Sequence, residues 1–130
     1  MQTLSITPCP APRMVHSDRW KKRPPVMRYF AFKKHLQLLR PEVNWDCLSI
    51  MFVLPMPKSW SEKKKKLHVG TPHKSRPDLD NLVKSFCDSL LGEDSMIWRY
   101  GEITKMWGRD GLIILDPQPL SLDQYQKQQL

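Results

Sequence analysis

The chain has 130 residues, a length that ordinarily builds one hydrophobic core, so a second independent domain is not expected. Lys and Arg number 21 against 13 Asp and Glu, and the formal charge of +8 favours a polyanionic partner. Nucleic acid comes first and an anionic membrane surface second, with a merely solubilising surface as the plain alternative. Cys9, Cys47 and Cys87 are odd in number and show no CxxC or Cys/His spacing, so neither a disulfide framework nor a zinc site is indicated. No apolar run approaches the roughly 18 residues of a membrane span, and MQTLSITPCPAPR lacks the order of a signal peptide. A cytoplasmic protein without a membrane partner is the expectation.

Residues 2–7, QTLSIT, alternate in polarity and predict a short strand that runs into Pro8, Pro10 and Pro12. Arg13 to Arg28 reads as a basic loop containing Trp20 and a Pro24-Pro25 break. From Val26 to Leu39, apolar and aromatic residues recur at spacings of three and four and predict an amphipathic helix that Pro41 stops. LSIMFVL, residues 48–54, predicts a buried strand through the centre of a sheet. Ser59 or Ser61 could cap a short helix carrying Lys63, Lys64, Lys65 and Lys66, which Gly70 and Pro72 end. After a loop, Leu79, Leu82, Val83, Phe86, Leu90 and Leu91 follow helical spacing up to Gly92. Met96 to Trp107 suits a strand of imperfect alternation, and Arg109-Asp110-Gly111 predicts a hairpin turn into a strand at Leu112 to Leu115. The domain is expected over 1–120, with 121–130 as a polar tail.

The chemistry concentrates at RPDLDNLVK, residues 76–84. Asp78 and Asp80 stand two apart where loop becomes helix, so both carboxylates can point the same way in a locally extended backbone. Asp80, Lys84 and Asp88 follow at spacings of four along one polar helix face, and Glu93-Asp94 form a second acidic pair beyond it. Hard cations such as Mg²⁺ take carboxylate oxygens and suit phosphodiester hydrolysis, where Lys84 could stabilise the transition-state charge, the favoured role, or orient the attacking water. On spacing alone the bland alternative stands: acids in a first helical turn complement its dipole, and a Lys four residues after an Asp is an ordinary surface pair.

Two basic clusters are candidate phosphate contacts: Arg19, Lys21, Lys22 and Arg23 around Trp20, and Lys63, Lys64, Lys65 and Lys66 with His73, Lys74 and Arg76. Each could equally be a solvated face.

PDLDNLVK, residues 77–84, with Asp88 and the EDS of residues 93–95, resembles the RusA-type Holliday junction resolvases, small crossover junction endodeoxyribonucleases found in bacteria and their phages, which implies a bacterial or phage-encoded protein. That family shows a PDxDNLxK stretch, a helical acid and a DDxQ-like pair leading into a strand. The resemblance extends to LPMPKSWSEKKKK at 54–66, RWKKRPPVMRYFAFK at 19–33 and KMWG at 105–108. It implies a single α/β (α+β) domain with a mixed sheet flanked by helices. It also implies a homodimer and paired Mg²⁺-dependent nicks in a four-way DNA junction, with Mn²⁺ able to substitute. Carried over by position, the metal carboxylates are Asp78, Asp80 and Asp94 and the essential lysine is Lys84, while Asn81 holds the acidic loop in shape. Glu93 replaces the first Asp of the family's pair, Met96 stands where Gln is common, and only Ser89 to Gly92 separate Asp88 from the pair. That short connector decides whether Asp94 reaches the other acids.

Overall fold

A computed structural model describes residues 1–13 and 23–117. The elements run β1 (Gln2–Leu4), α1 (Pro24–Leu39), β2 (Leu48–Pro55), α2 (Glu62–His68), α3 (Leu79–Leu90), a 3-10 turn (Asp94–Met96), β3 (Tyr100–Gly108) and β4 (Leu112–Leu115). The four strands form one mixed sheet in the order β1-β4-β2-β3. β2 and β3 pair in parallel, whereas β4 is antiparallel to both β1 and β2. The expected α+β architecture is the one observed.

β2 lies at the centre because both of its faces are apolar. Leu48, Ile50, Phe52 and Leu54 enter the main core, which α1 and α3 cover with Phe32, Leu36, Leu82, Val83 and Phe86. Val53 faces the other way, into a smaller cluster with Leu112 and Ile114. Period-two alternation sends successive side chains to opposite faces, so a strand covered on both sides reads as the unbroken run LSIMFVL.

Three sequence expectations shift. Pro24 and Pro25 do not break the chain but occupy the first turn of α1, where proline's missing N–H would be unbonded anyway. Phe30, counted in the apolar stripe, faces solvent, while Val26, Tyr29, Phe32 and Leu36 are buried. Arg109-Asp110-Gly111 does not close a hairpin: β3 and β4 lie on opposite sides of β2, and the turn carries the chain across its end. The glycine is needed there for a different reason, since a Cβ at Gly111 would come within 2.6 Å of the Thr7 backbone.

β3 also begins later than its composition suggests. Residues 94–96 form the 3-10 turn and β3 starts at Tyr100, which explains the imperfect alternation of the preceding stretch. β3 is an end strand, yet its outer edge is partly covered. Gly70 N–H donates to Trp107 O, Trp107 N–H to Thr71 O and His73 N–H to Lys105 O, at 2.9, 3.0 and 2.9 Å. This short ladder ties the chain after α2 to the sheet and leads it directly into α3. No helix among the described residues is long and apolar enough to cross a membrane.

Candidate active site

α3 is a strongly amphipathic helix, with Leu82, Val83, Phe86 and Cys87 buried and Asp80 and Lys84 on its exposed side. Asp78 is its N-cap residue, with φ −68° and ψ 142°, but its side chain makes no capping hydrogen bond. The commonest structural use of an Asp at this position is therefore not made here. Asp80 Oδ1 accepts from Asn81 N–H at 3.0 Å. Among the described residues the ion pairs join Glu62 to Lys65 and Arg109, so Lys84 is not spent on Asp80 or Asp88.

Asp80, Asn81, Lys84, Cys87, Asp94 and Tyr100 line one cavity of about 350 Å³. The short connector thus brings Asp94 to the opening that holds Asp80 and Lys84: α3 ends at Leu90, and the 3-10 turn places Asp94 at its first position. Glu93 instead sits beside Ser95, whose hydroxyl donates to it at 3.4 Å. Asp78 borders a neighbouring opening with Pro10, Ala11, Arg76 and Pro77, and Asn81 lines both. The two acids do not alternate along an extended strand, since Asp80 is already in the helix. The N-terminal segment adds to this edge by a hydrogen bond from Ala11 N–H to Asn81 O at 3.4 Å.

The electrostatics converge on Asp94. Burial raises the Asp88 carboxyl above its ordinary value, the charge of Asp94 and a hydrogen bond to it raise it further, and Lys84 and Lys33 act in the opposite sense. Tyr29, buried on α1, has its hydroxyl raised above the ordinary value by burial first, then by Asp88 beside it and by Asp94. The Cys87 thiol is pushed up to about 12 by burial and then by Asp94 and Asp88, which leaves it neutral and unreactive. Tyr100 is raised by burial, by Cys87 and by Asp94.

Among the described residues no three His, Cys, Asp or Glu side chains are gathered into a ready metal cage. Mg²⁺ does not need one, because it keeps several waters and is typically held by one or two carboxylates together with substrate phosphate. Asp80 and Asp94 on one cavity, beside an Asp88 carboxyl held above its ordinary value by burial and by Asp94, are a donor set that fits such an ion.

Sequence reasoning left Asp88 without a role and treated Tyr29 only as part of an apolar stripe. A signal existed for Tyr29: a buried tyrosine needs a partner for its hydroxyl, and an acid on the facing helix can supply it.

The basic residues divide. Lys63 and Lys66 of α2 are exposed, Lys65 lies 3.9 Å from Glu62, and Lys64 Nζ sits 4.2 Å from the centre of the Trp60 ring. Lys74 and Arg76 are exposed, and Arg76 borders the Asp78 opening. The Arg23 guanidinium donates to Arg13 O at 3.0 Å. Arg19, Lys21 and Lys22, with Trp20, lie outside the described residues. His73 is corrected: it is 5 % exposed, its ring lies 3.8 Å from that of Trp107, and its Nδ1 accepts from Ser75 N–H. A buried, stacked imidazole is not a surface available to DNA.

A family model described as endodeoxyribonuclease RusA matches residues 16–102, two thirds of the chain. The chain belongs to the RusA endodeoxyribonuclease family. No curated protein and no solved structure matches it. The RusA match takes in α1, β2, α2, α3 and Asp94 and ends within β3, so the cavity lies wholly inside it. Membership supports DNA-cleaving activity, and RusA resolvases are generally dependent on a divalent metal.

Proposed function

We propose that this RusA-family protein is a Mg²⁺-dependent, structure-selective endonuclease that resolves four-way DNA junctions by paired incisions in a homodimer. The observation that carries the reading is the shared cavity of Asp80, Asp94 and Lys84 in a chain of this family. Asp80 and Asp94 would hold the cation, with Asp78 reaching it from the adjoining opening, and Mn²⁺ would substitute because it takes the same oxygen ligands. The cation supplies charge neutralisation at the scissile phosphate and lowers the pKa of the attacking water.

The chain's own residues do the rest. Lys84 presents an ammonium to the phosphate oxygens, where negative charge grows in the transition state. Asp88, with Tyr29 beside it, would restrain the Asp94 carboxylate so that it meets the cation in one orientation. Lys63, Lys66, Lys74 and Arg76, together with Arg19, Lys21, Lys22 and Arg23, neutralise backbone phosphates along the junction arms and bring substrate to a site that would otherwise repel it. Two incisions in opposed strands call for two such sites related by a twofold axis.

The direct test presents labelled four-way junctions, flaps and linear duplexes to the purified protein with Mg²⁺ or EDTA. Junctions are expected to be cut in Mg²⁺ and bound without cutting in EDTA. Equal cutting of flaps and junctions would replace the substrate assignment with a general branched-DNA nuclease, and binding without any cutting would reduce the protein to a DNA-binding module. Light scattering that found only monomer at working concentration would contradict the paired-incision arrangement.

A further inference from the structure

Lys105 projects from β3 toward the loop that precedes Asp78. Its ammonium donates to the carbonyl oxygens of Ser75 at 2.6 Å and Pro77 at 2.7 Å. Its backbone carbonyl accepts from His73 N–H at 2.9 Å. A single strand residue therefore holds residues 73, 75 and 77, and Asp78 follows immediately as the N-cap of α3. Among the described residues no carboxylate pairs with Lys105. Its charge is committed to loop carbonyls, and such charge-assisted hydrogen bonds are about twice as strong as neutral ones. Lys105 lies beyond the residues matched by the family model.

We propose that Lys105 is a positioning residue for the nuclease centre: by fixing the Ser75–Pro77 backbone, it delivers the Asp78 carboxylate to the cation held beside Asp80. The proposal rests on the metal-dependent nuclease reading above. It makes a prediction opposite in sign to that of a mere neighbouring charge. Removing a cation near a cation site relieves repulsion and tightens divalent binding, whereas releasing a loop that presents a ligand weakens it.

Mn²⁺ binding to the whole 130-residue chain without DNA, followed by electron paramagnetic resonance of the free ion, separates the two. Wild type, Lys105→Met, Asp78→Asn and the double variant would be titrated, with circular dichroism recorded for each. Lys105→Met is expected to weaken Mn²⁺ binding on the order of tenfold, as loss of an outer-shell partner typically does. Because Lys105 acts through Asp78, adding Lys105→Met to Asp78→Asn should cost no more than about a further twofold. Lys105→Arg, which can donate to both carbonyls, should recover most of the affinity.

Unchanged or tighter Mn²⁺ binding by Lys105→Met would overturn the proposal, as would losses that multiply in the double variant. Loss of the folded spectrum in Lys105→Met would also overturn it, by making Lys105 a residue of the fold. A wild type that binds no Mn²⁺ and cuts no junction would instead sink the nuclease reading itself.

Discussion

Lys84 and Ser85 are neighbours on α3 with opposite fates, and they show what single side chains contribute here. Lys84 is exposed beside Asp80 and Asp94, and its ammonium is not consumed by an ion pair. Lys84→Ala is expected to slow junction cleavage about 10²- to 10³-fold, the usual loss for one transition-state charge donor, while binding in EDTA changes little. A binding defect without a rate defect would move Lys84 to the DNA-contact class. Ser85 is fully buried, and its hydroxyl has no hydrogen-bond partner among the described residues. Removing a buried unsatisfied hydroxyl relieves a desolvation penalty, so Ser85→Ala should raise stability by about 1 kcal/mol in a denaturant titration. Asp78, Asp80 and Lys84 stood out in the sequence because a spaced motif names residue types directly. Asp88 was placed on the same polar face but given no role, and Tyr29 was not singled out, because their meaning lies in the packing of α1 against α3, and no spacing within one helix reveals its neighbour.

At the scale of elements, the segment between α2 and α3 is organised by rings. Trp60 lies against both His68 and Trp107 with ring centres 4.9 Å apart, and Trp107 lies against His73. Burial and the nearby Lys105 charge hold the His73 imidazole below its ordinary value of 6.5, so it stays neutral in the fold. The unfolded chain then binds a proton that the folded chain refuses, and stability must fall as pH drops below about 6.5. Urea midpoints measured between pH 8 and pH 5 should show this fall, and His73→Gln should flatten that part of the curve. An identical fall in the variant would assign the effect to other groups. The sequence marked His73 as a DNA contact because it is the one histidine near the acids, and only the edge ladder along β3 turns it inward. The hairpin expected at Arg109-Asp110-Gly111 failed for a related reason. A tight turn shows that the chain reverses, but not that its two arms are adjacent, and here the parallel pairing of β2 with β3 leaves β2 between them.

For the whole molecule, the proposed nuclease reading makes the charge of +8 and the acids of the cavity complementary. On that reading the basic segments would attract the phosphate backbone, and a divalent cation would neutralise the acids where that backbone must approach. Replacing Lys63 and Lys66 of α2 by Ala should lower the slope of log affinity against log salt by about 0.9 for each phosphate contact removed. An unchanged slope would make the lysine run a solvated face. The sheet's centre at β2 and the helical character of α3 were legible from periodicity, since burial dictates the pattern directly. The convergence of Asp94 on Asp80 was not, because a connector of a few residues can end in many directions and only the 3-10 turn selects one.

The most direct measurement is the Mg²⁺-dependent rate of four-way junction cleavage by Asp80→Asn beside wild type, with junction affinity measured in parallel. The substitution keeps size and shape and removes one negative charge from the cavity shared with Asp94 and Lys84. Cleavage should be lost while the junction is bound as tightly or more tightly, because a charge facing phosphate has gone. Undiminished cleavage by Asp80→Asn would contradict the account and place the chemistry elsewhere on the molecule.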